Sequence, residues 1–300
     1  MGSHLTHYLH EKGFEIWAAR HRCERRFPFR IRWVDADMTC FRDVMRLLDS
    51  ARPHYIFHLA GQAVPRMAWE DPSATHRLNV GGSVFLLEGA TKFVPESRVI
   101  LFSSGQVYGA TFFWKRRVSE EDPVNPLTPY AGSKLLAEMA GLNFFARHGL
   151  DVVIVRPFNH VGTAQNTHLV LAEYCRQIAL MEKGRKSYHL EVGNVDVTRD
   201  FLHVRDAVRA YHLLAVRGKG GEIYNVGSGK GIYLKRILEF LRKESKVNFK
   251  VVQRESWRSR NDFPFSIADC SKLRRLNWQP RESVWGAVRE ILQEWRKRVG

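Results

Sequence analysis

Short apolar runs alternate with amphipathic stretches through the first half of the chain. Ile31-Arg32-Trp33-Val34, Tyr55-Ile56-Phe57, Val99-Ile100-Leu101-Phe102 and Val152-Val153-Ile154-Val155 are compact, as strands buried on both faces are. Between them a helical period marks segments around 41–48, 80–88 and 130–145. Upstream, Leu5, Tyr8 and Leu9 form a helical stripe and Gly13 is a stop. Phe14-Glu15-Ile16-Trp17-Ala18-Ala19 then reads as a strand. This alternation predicts an α/β fold built on a doubly wound parallel sheet. After about Pro157 the order becomes irregular. Near the end, Val284, Val288, Ile291, Leu292 and Trp295 share one face of a helix. No repeat, low-complexity tract or heptad pattern interrupts the chain.

Composition narrows the class. Three hundred residues with 44% hydrophobic content suffice for a full core and a second lobe. No apolar run approaches membrane-spanning length and no secretory signal opens the chain, so neither a membrane partner nor export is expected. Cys23, Cys40, Cys175 and Cys270 are scattered without metal-type spacing; they read as reduced cytoplasmic thiols, and no metal site is expected. The formal charge of +16 raises the question of nucleic acid. Yet the basic residues are dispersed, at 20–32, 115–117, 254–260, 272–275 and 296–298, with no aromatic-interleaved module or helix-turn-helix signal. Solvated faces are the favoured reading, with attraction of anionic nucleotides as a second use of part of the excess.

The sharpest chemical signal is Ser103-Ser104-Gly105-Gln106-Val107-Tyr108-Gly109 followed by Tyr130-Ala131-Gly132-Ser133-Lys134. Tyr130 and Lys134 are an i, i+4 pair, so on a helix both side chains leave the same face. A phenol with an ordinary pKa of about 10 is a poor acid–base group at neutral pH. An ammonium one turn away, with a cationic nicotinamide above it, favours the phenolate and pulls that value down. Ser104, at the end of an apolar strand, can polarise a substrate oxygen. Together these residues are equipment for hydride transfer between a nicotinamide and a carbonyl or alcohol.

Further segments follow in order: His58-Leu59-Ala60-Gly61-Gln62, Asn79-Val80-Gly81-Gly82, Arg156-Pro157-Phe158-Asn159-His160, Arg199-Asp200-Phe201, Tyr224-Asn225-Val226-Gly227-Ser228-Gly229 and Leu276-Asn277-Trp278-Gln279-Pro280. The series resembles the extended short-chain dehydrogenase/reductase family (NAD-dependent epimerases and dehydratases), in its sugar-nucleotide branch. The resemblance implies a Rossmann-like fold with a smaller, interleaved substrate-binding lobe. Residues 1–160 and 196–228 would form the dinucleotide-binding domain, 161–195 and 229–283 the substrate lobe, and 284–300 a helix packed on the core. Such folds open with an apolar strand and a glycine-rich turn at a helix N-terminus, where backbone N–H groups meet the pyrophosphate. Here Met1-Gly2-Ser3-His4-Leu5 resembles the last glycine of that turn and the first helix. A strand and the earlier glycines, about ten residues in all, are expected to be missing, leaving neighbouring strands with unpaired backbone groups.

The resemblance also assigns roles. The second strand ends Ala19-Arg20-His21-Arg22, with no acid until Glu24. That favours NADP(H) over NAD(H), with Arg20 and Arg22 at the 2′-phosphate. Gly2 falls at the phosphate turn. Asp37 and Met38 fall beside the adenine, with a helix cap as the competing reading of Asp37. Leu59, Ala60 and Gly61 form the small-residue turn under the ribose and nicotinamide, and Tyr130 and Lys134 also touch the cofactor. His58 reads as a packed strand histidine. Gln106 stands where the 4,6-dehydratases place a glutamate, and an amide cannot move the C5 proton, so dehydration is disfavoured. What remains is NADPH-dependent reduction of the 4-keto group of a GDP-linked 6-deoxy sugar, or 4-epimerisation of a nucleotide sugar. A third reading, a catalytically silent nucleotide-binding protein, rests on the missing phosphate turn. For the nucleotide-sugar substrate, Asn159 matches the sugar-diphosphate contact and Arg199 a phosphate clamp. Arg258 is a weaker match, because Ser259 stands where the family carries arginine. Gly162-Thr163-Ala164-Gln165 departs from the family's Gly-Pro-Gly-Gln. A homodimer through the Tyr130 helix and its predecessor, in the cytoplasm, completes the expectation.

Overall fold

The structure, a computed structural model, describes residues 1–20, 27–257 and 262–300. The chain forms two compact units: Met1–Val107, Pro126–Pro157 and Val208–Tyr224 in the first, and Tyr108–Asn125, Phe158–Ala207 and Asn225–Gly300 in the second.

In the first unit strands and helices alternate as the hydrophobic period predicts. The strands Tyr55–His58, Arg98–Phe102 and Val152–Pro157 lie side by side in parallel, with Tyr55 opposite Arg98 and Val99 opposite Val152. Ile154 N–H extends the ladder to Glu222 O at 3.0 Å. Val99 and Ile100 and the run Val152 to Val155 are fully buried, which is why these strands read as continuous apolar runs. Trp17–Arg20 pairs in parallel with Arg32–Asp35 as a separate two-stranded sheet. Among the described residues neither Trp17–Arg20 nor Tyr55–His58 has a strand on its other side.

Helices cover the larger sheet. Phe41–Ala51 packs against Gly82–Phe93, which in turn packs against Pro129–His148. Val44, Leu47, Leu48, Leu86 and Leu87 join Val99 and Leu101 in one buried cluster. The Pro129–His148 helix lies close on the sheet because Gly141 has no side chain. A Cβ there would stand 2.8 Å from Leu101 Cδ2 and 3.2 Å from Val152 Cγ1. The helix ends at Gly149, whose φ of 69° is the left-handed conformation that glycine adopts without strain.

In the second unit Thr198–His203 is the organising strand. It pairs with Gly231–Tyr233 (antiparallel), with Phe265–Ala268 and with Asn159–Val161 (both parallel), while Arg117–Val118 pairs with Phe265–Ala268. With these ladders, residues 108–125, 158–160, 196–207 and 225–228 lie in the second compact unit. The helix Val284–Arg298 packs on Val170–Glu182, and Val288, Ile291 and Leu292 share a core with Cys175, Ile178 and Leu190. Cys40 is exposed and Cys175 and Cys270 are buried, all as free thiols; Cys23 lies outside the described residues. No described helix is long and apolar enough to cross a membrane.

The close approach at Gly141 makes a direct prediction. Gly141→Val drives two methyl groups into Leu101 and Val152, and overpacking of this kind costs about 1–3 kcal/mol. Thermal unfolding should show a midpoint lowered by several degrees, and an unchanged midpoint would mean that the helix does not seat this closely.

Candidate active site

The strand Arg98–Phe102 carries the chain out of the core and delivers Ser103 and Ser104 at its carboxyl end, the edge where open α/β sheets bind ligands. The Pro129–His148 helix meets it there. Its start is fixed by Thr128, whose Oγ1 accepts the Ala131 N–H at 3.0 Å, and by Pro129 in the first turn. Tyr130 thus sits in a capped first turn, with Lys134 one turn later on the same face. Lys134 Nζ donates to Phe102 O at 2.7 Å, and the Tyr130 phenol is hydrogen-bonded to Ser104. Ser104 Oγ also accepts the Gln106 N–H at 3.1 Å. The structure therefore brings Ser104, Tyr130 and Lys134 together, all buried.

Electrostatics here differ in part from the sequence reading. Burial pulls the Lys134 ammonium down to about 8, and the Glu138 carboxylate opposes that fall. Burial pushes the Tyr130 phenol up from its ordinary value, not down; the hydrogen bond to Ser104 pulls the other way. A second buried phenol, Tyr211, stands edge-on to Phe102 at 4.7 Å and is itself raised by burial and by Tyr130.

A polar scaffold surrounds this set. Ser133 Oγ donates to Tyr130 O at 2.8 Å and accepts from Asn79 Nδ2 at 2.9 Å. Asn79 lies in a π-turn, Arg77–Gly81, of the kind that recurs at functional sites. It grips the turn after Tyr55–His58 from both sides: Gln62 N–H donates to Asn79 Oδ1 at 2.7 Å, and Asn79 Nδ2 donates to Gln62 O at 3.1 Å. Gly61 must be bare, because a Cβ would stand 2.8 Å from Asn79 Oδ1 and 3.5 Å from Lys134 Nζ. The turn Leu59-Ala60-Gly61 is thus an open cradle beside the ammonium. His58 is buried, its Nε2 at 3.0 Å from Ser83 Oγ, and burial pulls it down to about 3, so it is neutral at pH 7.

The other predicted residues fall as follows. Arg20 forms a two-pronged pair with Asp35, Nε to Oδ1 at 2.6 Å and Nη2 to Oδ2 at 3.0 Å, at the ends of their paired strands. That hydrogen-bonded guanidinium holds the Asp35 carboxyl below its ordinary value. Asp37 Oδ1 accepts Thr39 N–H and Thr39 Oγ1, each at 2.8 Å, in a turn before the Phe41–Ala51 helix. Met38 is buried, with the Gly82 backbone close against it. Gly2 starts the first helix, which has no side-chain cap. Gln106 is half-buried. In the second unit, Asn159 Nδ2 donates to Asp200 O at 2.9 Å. Arg199 donates to Phe263 O at 2.9 Å, stacks over the Phe263 ring at 5.1 Å, and has Asp262 at 3.9 Å. Burial pulls this guanidinium down to about 10. Arg22 and Arg258 lie outside the described residues. Among the described residues no group of three or more His, Cys, Asp or Glu side chains could hold a metal ion.

Sequence reasoning missed Asn79, Ser133, Glu138, Arg156 and Asp35 as site groups. Asn79, Ser133 and Arg156 stand in the motif segments but were given no role there, and Glu138 continues the Tyr130, Lys134 spacing by one more turn.

A family model for the NAD dependent epimerase/dehydratase family matches residues 1–227. GDP-6-deoxy-D-mannose reductase of Pseudomonas aeruginosa is 35% identical over 248 residues, covering 82% of this chain and 82% of that protein. The structure of RMD from Pseudomonas aeruginosa complexed with NADPH has a TM-score of 0.85 at 31% identity, covering 99% of this chain and 95% of that one. UDP-glucose 4-epimerase of Thermotoga maritima, solved with UDP-glucose, has a TM-score of 0.89 at 25% identity, covering 100% and 96%.

The depressed Lys134 value has a measurable consequence. Between about 8 and the ordinary 10.5, the unfolded chain holds a proton on Lys134 that the folded chain has released. Its contribution to unfolding free energy therefore rises with pH across that window. Urea unfolding of parent and Lys134→Met should show a steeper rise in the parent between those limits; parallel pH curves would contradict a buried, depressed ammonium.

Proposed function

Because the chain belongs to the NAD-dependent epimerase/dehydratase family, we propose that it is an NADPH-dependent reductase of the 4-keto group of a nucleotide-linked 6-deoxy sugar, of the GDP-4-dehydro-6-deoxy-D-mannose to GDP-D-rhamnose type. The observation that carries the reading is the meeting of Ser104, Tyr130 and Lys134 at the carboxyl end of one parallel strand. NADPH, when bound, supplies the hydride. The bare turn Leu59-Ala60-Gly61 beside Lys134 suits the nicotinamide end, and Gly2, Asp37 and Met38 are assigned to the rest of the cofactor. The pair that Arg20 makes with Asp35 is exposed, an interaction that contributes little, and a 2′-phosphate can compete for its guanidinium.

The chain's own groups then do the following. Ser104 Oγ hydrogen-bonds the C4 oxygen, and Tyr130 donates its proton to that oxygen as negative charge builds. Lys134, fixed by Phe102 O, stabilises the phenolate that remains. A phenol raised by burial holds its proton at neutral pH, the form a reductase needs at the start. Arg199 is a half-buried guanidinium with its carboxylate neighbour at 3.9 Å, and a diphosphate fits it better. Asn159 is assigned to the same substrate, and Arg258 to a second phosphate contact. Gln106 cannot accept the C5 proton that dehydration requires.

A second reading, a nucleotide-sugar 4-epimerase, is favoured by the structural likeness to UDP-glucose 4-epimerase, and the same three residues serve oxidation as well as reduction. The cofactor's fate separates the two: a reductase consumes NADPH in proportion to product, whereas an epimerase returns it each turnover. For assembly we propose a homodimer through the Tyr130 helix, which exposes Leu136 and Met139. The free thiols suit a reducing cytoplasm.

With the GDP-linked 4-keto sugar, loss of reduced-nicotinamide absorbance is the expected result; none would overturn the proposal. Tyr130→Phe should lower kcat by about 10²–10⁴-fold while NADPH binding, read by protein fluorescence, stays unchanged. Comparable turnover in parent and variant would refute the role given to the phenol.

A further inference from the structure

Behind the Tyr130–Lys134 face lies a buried charged cluster that the reaction as described does not use. Glu138 is one helical turn beyond Lys134 and is 2% exposed. Arg156, in the Val152–Pro157 strand, grips its carboxylate with two bonds, Nε to Oε1 at 2.9 Å and Nη2 to Oε2 at 2.7 Å. Ser103 Oγ donates a third hydrogen bond to Oε1. Arg156 and Ser103 are 3% and 4% exposed, so the whole cluster is out of water. A buried ion pair is a weak source of stability, because a well-packed apolar pair of the same volume does as well. What it supplies is directional: a carboxylate with three fixed donors sits in only one place. Those donors come from the strand end next to Ser104 and from the adjacent strand, while the carboxylate belongs to the helix that carries Tyr130 and Lys134.

We propose that Glu138, clamped by Arg156, is a positioning residue of the proposed reduction: through Ser103 it holds the Ser104 strand end against the Tyr130–Lys134 helix face, and it sets an anion one turn behind the Lys134 ammonium. The inference rests on the reductase reading. Among the described residues, the charged and titratable groups next to Lys134 are Tyr130 and Glu138 on its own helix and His58 from the strand Tyr55–His58, with Arg156 from the strand Val152–Pro157 held on Glu138 and Tyr211 beside Tyr130. His58 is neutral near pH 7 and Tyr211 keeps its proton, so neither offsets the loss of the carboxylate. Burial already pulls Lys134 down and Glu138 opposes it. Removing the anion makes the ammonium lose its proton at lower pH. The alkaline limb of the rate profile, where Lys134 discharges, then moves toward neutrality.

The test compares the parent, Glu138→Gln and the paired variant Glu138→Gln with Arg156→Met. The pair removes both charges and keeps the fold available if the single variant is too unstable. Two readouts are taken: kcat against pH with the GDP-linked 4-keto sugar and NADPH, and the carbon-13 resonance of Lys134 against pH without substrate, assigned with Lys134→Met. The expected result for Glu138→Gln is a titration of Lys134 lowered by about one unit or more, with the alkaline limb displaced in step. In the paired variant thermal stability recovers while the limb stays below the parent's. A Lys134 titration and limb unmoved in Glu138→Gln, or restored to parent values in the paired variant, would overturn the inference and leave Glu138 a purely structural residue. Because the resonance needs no substrate, failure of the reductase reading would show as absent turnover with the Lys134 shift intact.

Discussion

The hydrogen bond from the Lys134 ammonium to the Phe102 carbonyl governs the rest of the site. A charge 9% exposed is costly to hold away from water, and it stays only where its donors are met. Here a main-chain oxygen at the end of a buried strand meets one of them. That acceptor cannot be moved by side-chain rotation, so the helix is fixed against the strand both in height and in rotation. Tyr130, one turn earlier, is carried to Ser104 as a consequence. Thr128 at the start of the helix and Gly141 in its middle hold the same placement from other points: one caps the first turn, and the other lets the helix backbone rest on Leu101 and Val152.

The second unit uses the same device with the opposite charge. Asp200, with no exposure, accepts the N–H groups of Ser228, Gly229 and Ala268 at 2.8, 2.9 and 3.2 Å, along with the Ser228 hydroxyl. A carboxylate satisfied by three main-chain donors locks the loop after Val226 to the strand Thr198–His203. Arg199 is the preceding residue on that strand, so its backbone is held while its side chain reaches Phe263. Alternation along the strand sends the Arg199 and Asp200 side chains to opposite faces.

What the sequence made legible were features of short range or strict period. Buried strands announced themselves as apolar runs, and the Tyr130–Lys134 spacing placed both groups on one helix face. Ser104 was readable because it follows a strand that could only be central. The fold class follows from that alternation, and it agrees with the solved relatives. The contacts that were not legible all join residues far apart along the chain. Arg20 meets Asp35 only because their two strands pair in a particular register, and nothing in Ala19-Arg20-His21 specifies that partner. Asn79 grips Gln62 and Ser133 through a π-turn that no periodicity marks. Arg156 opens a motif segment without a partner legible in it, and becomes half of a buried pair only once its strand lies beside Arg98–Phe102 and beneath the helix. The placement of residues 108–125 and 196–207 in the second unit was hidden for the same reason: ladders between strands far apart in sequence decide it, not local pattern.

The direction of the Tyr130 shift bears on which half-reaction the site suits. A phenol that must take a proton from an alcohol has to start as phenolate, and burial works against that form. A phenol that must give a proton to a carbonyl oxygen starts neutral, and burial favours it. The cation one turn away then matters after the transfer rather than before it, when the phenolate appears in a low-dielectric pocket and needs a fixed counter-charge. Lys134 meets that need only while it keeps its own proton, and its value of about 8 leaves a narrow margin above neutrality. The Glu138 carboxylate, held by Arg156, widens that margin, which is a physical reason for a buried ion pair to stand where an apolar contact would pack as well.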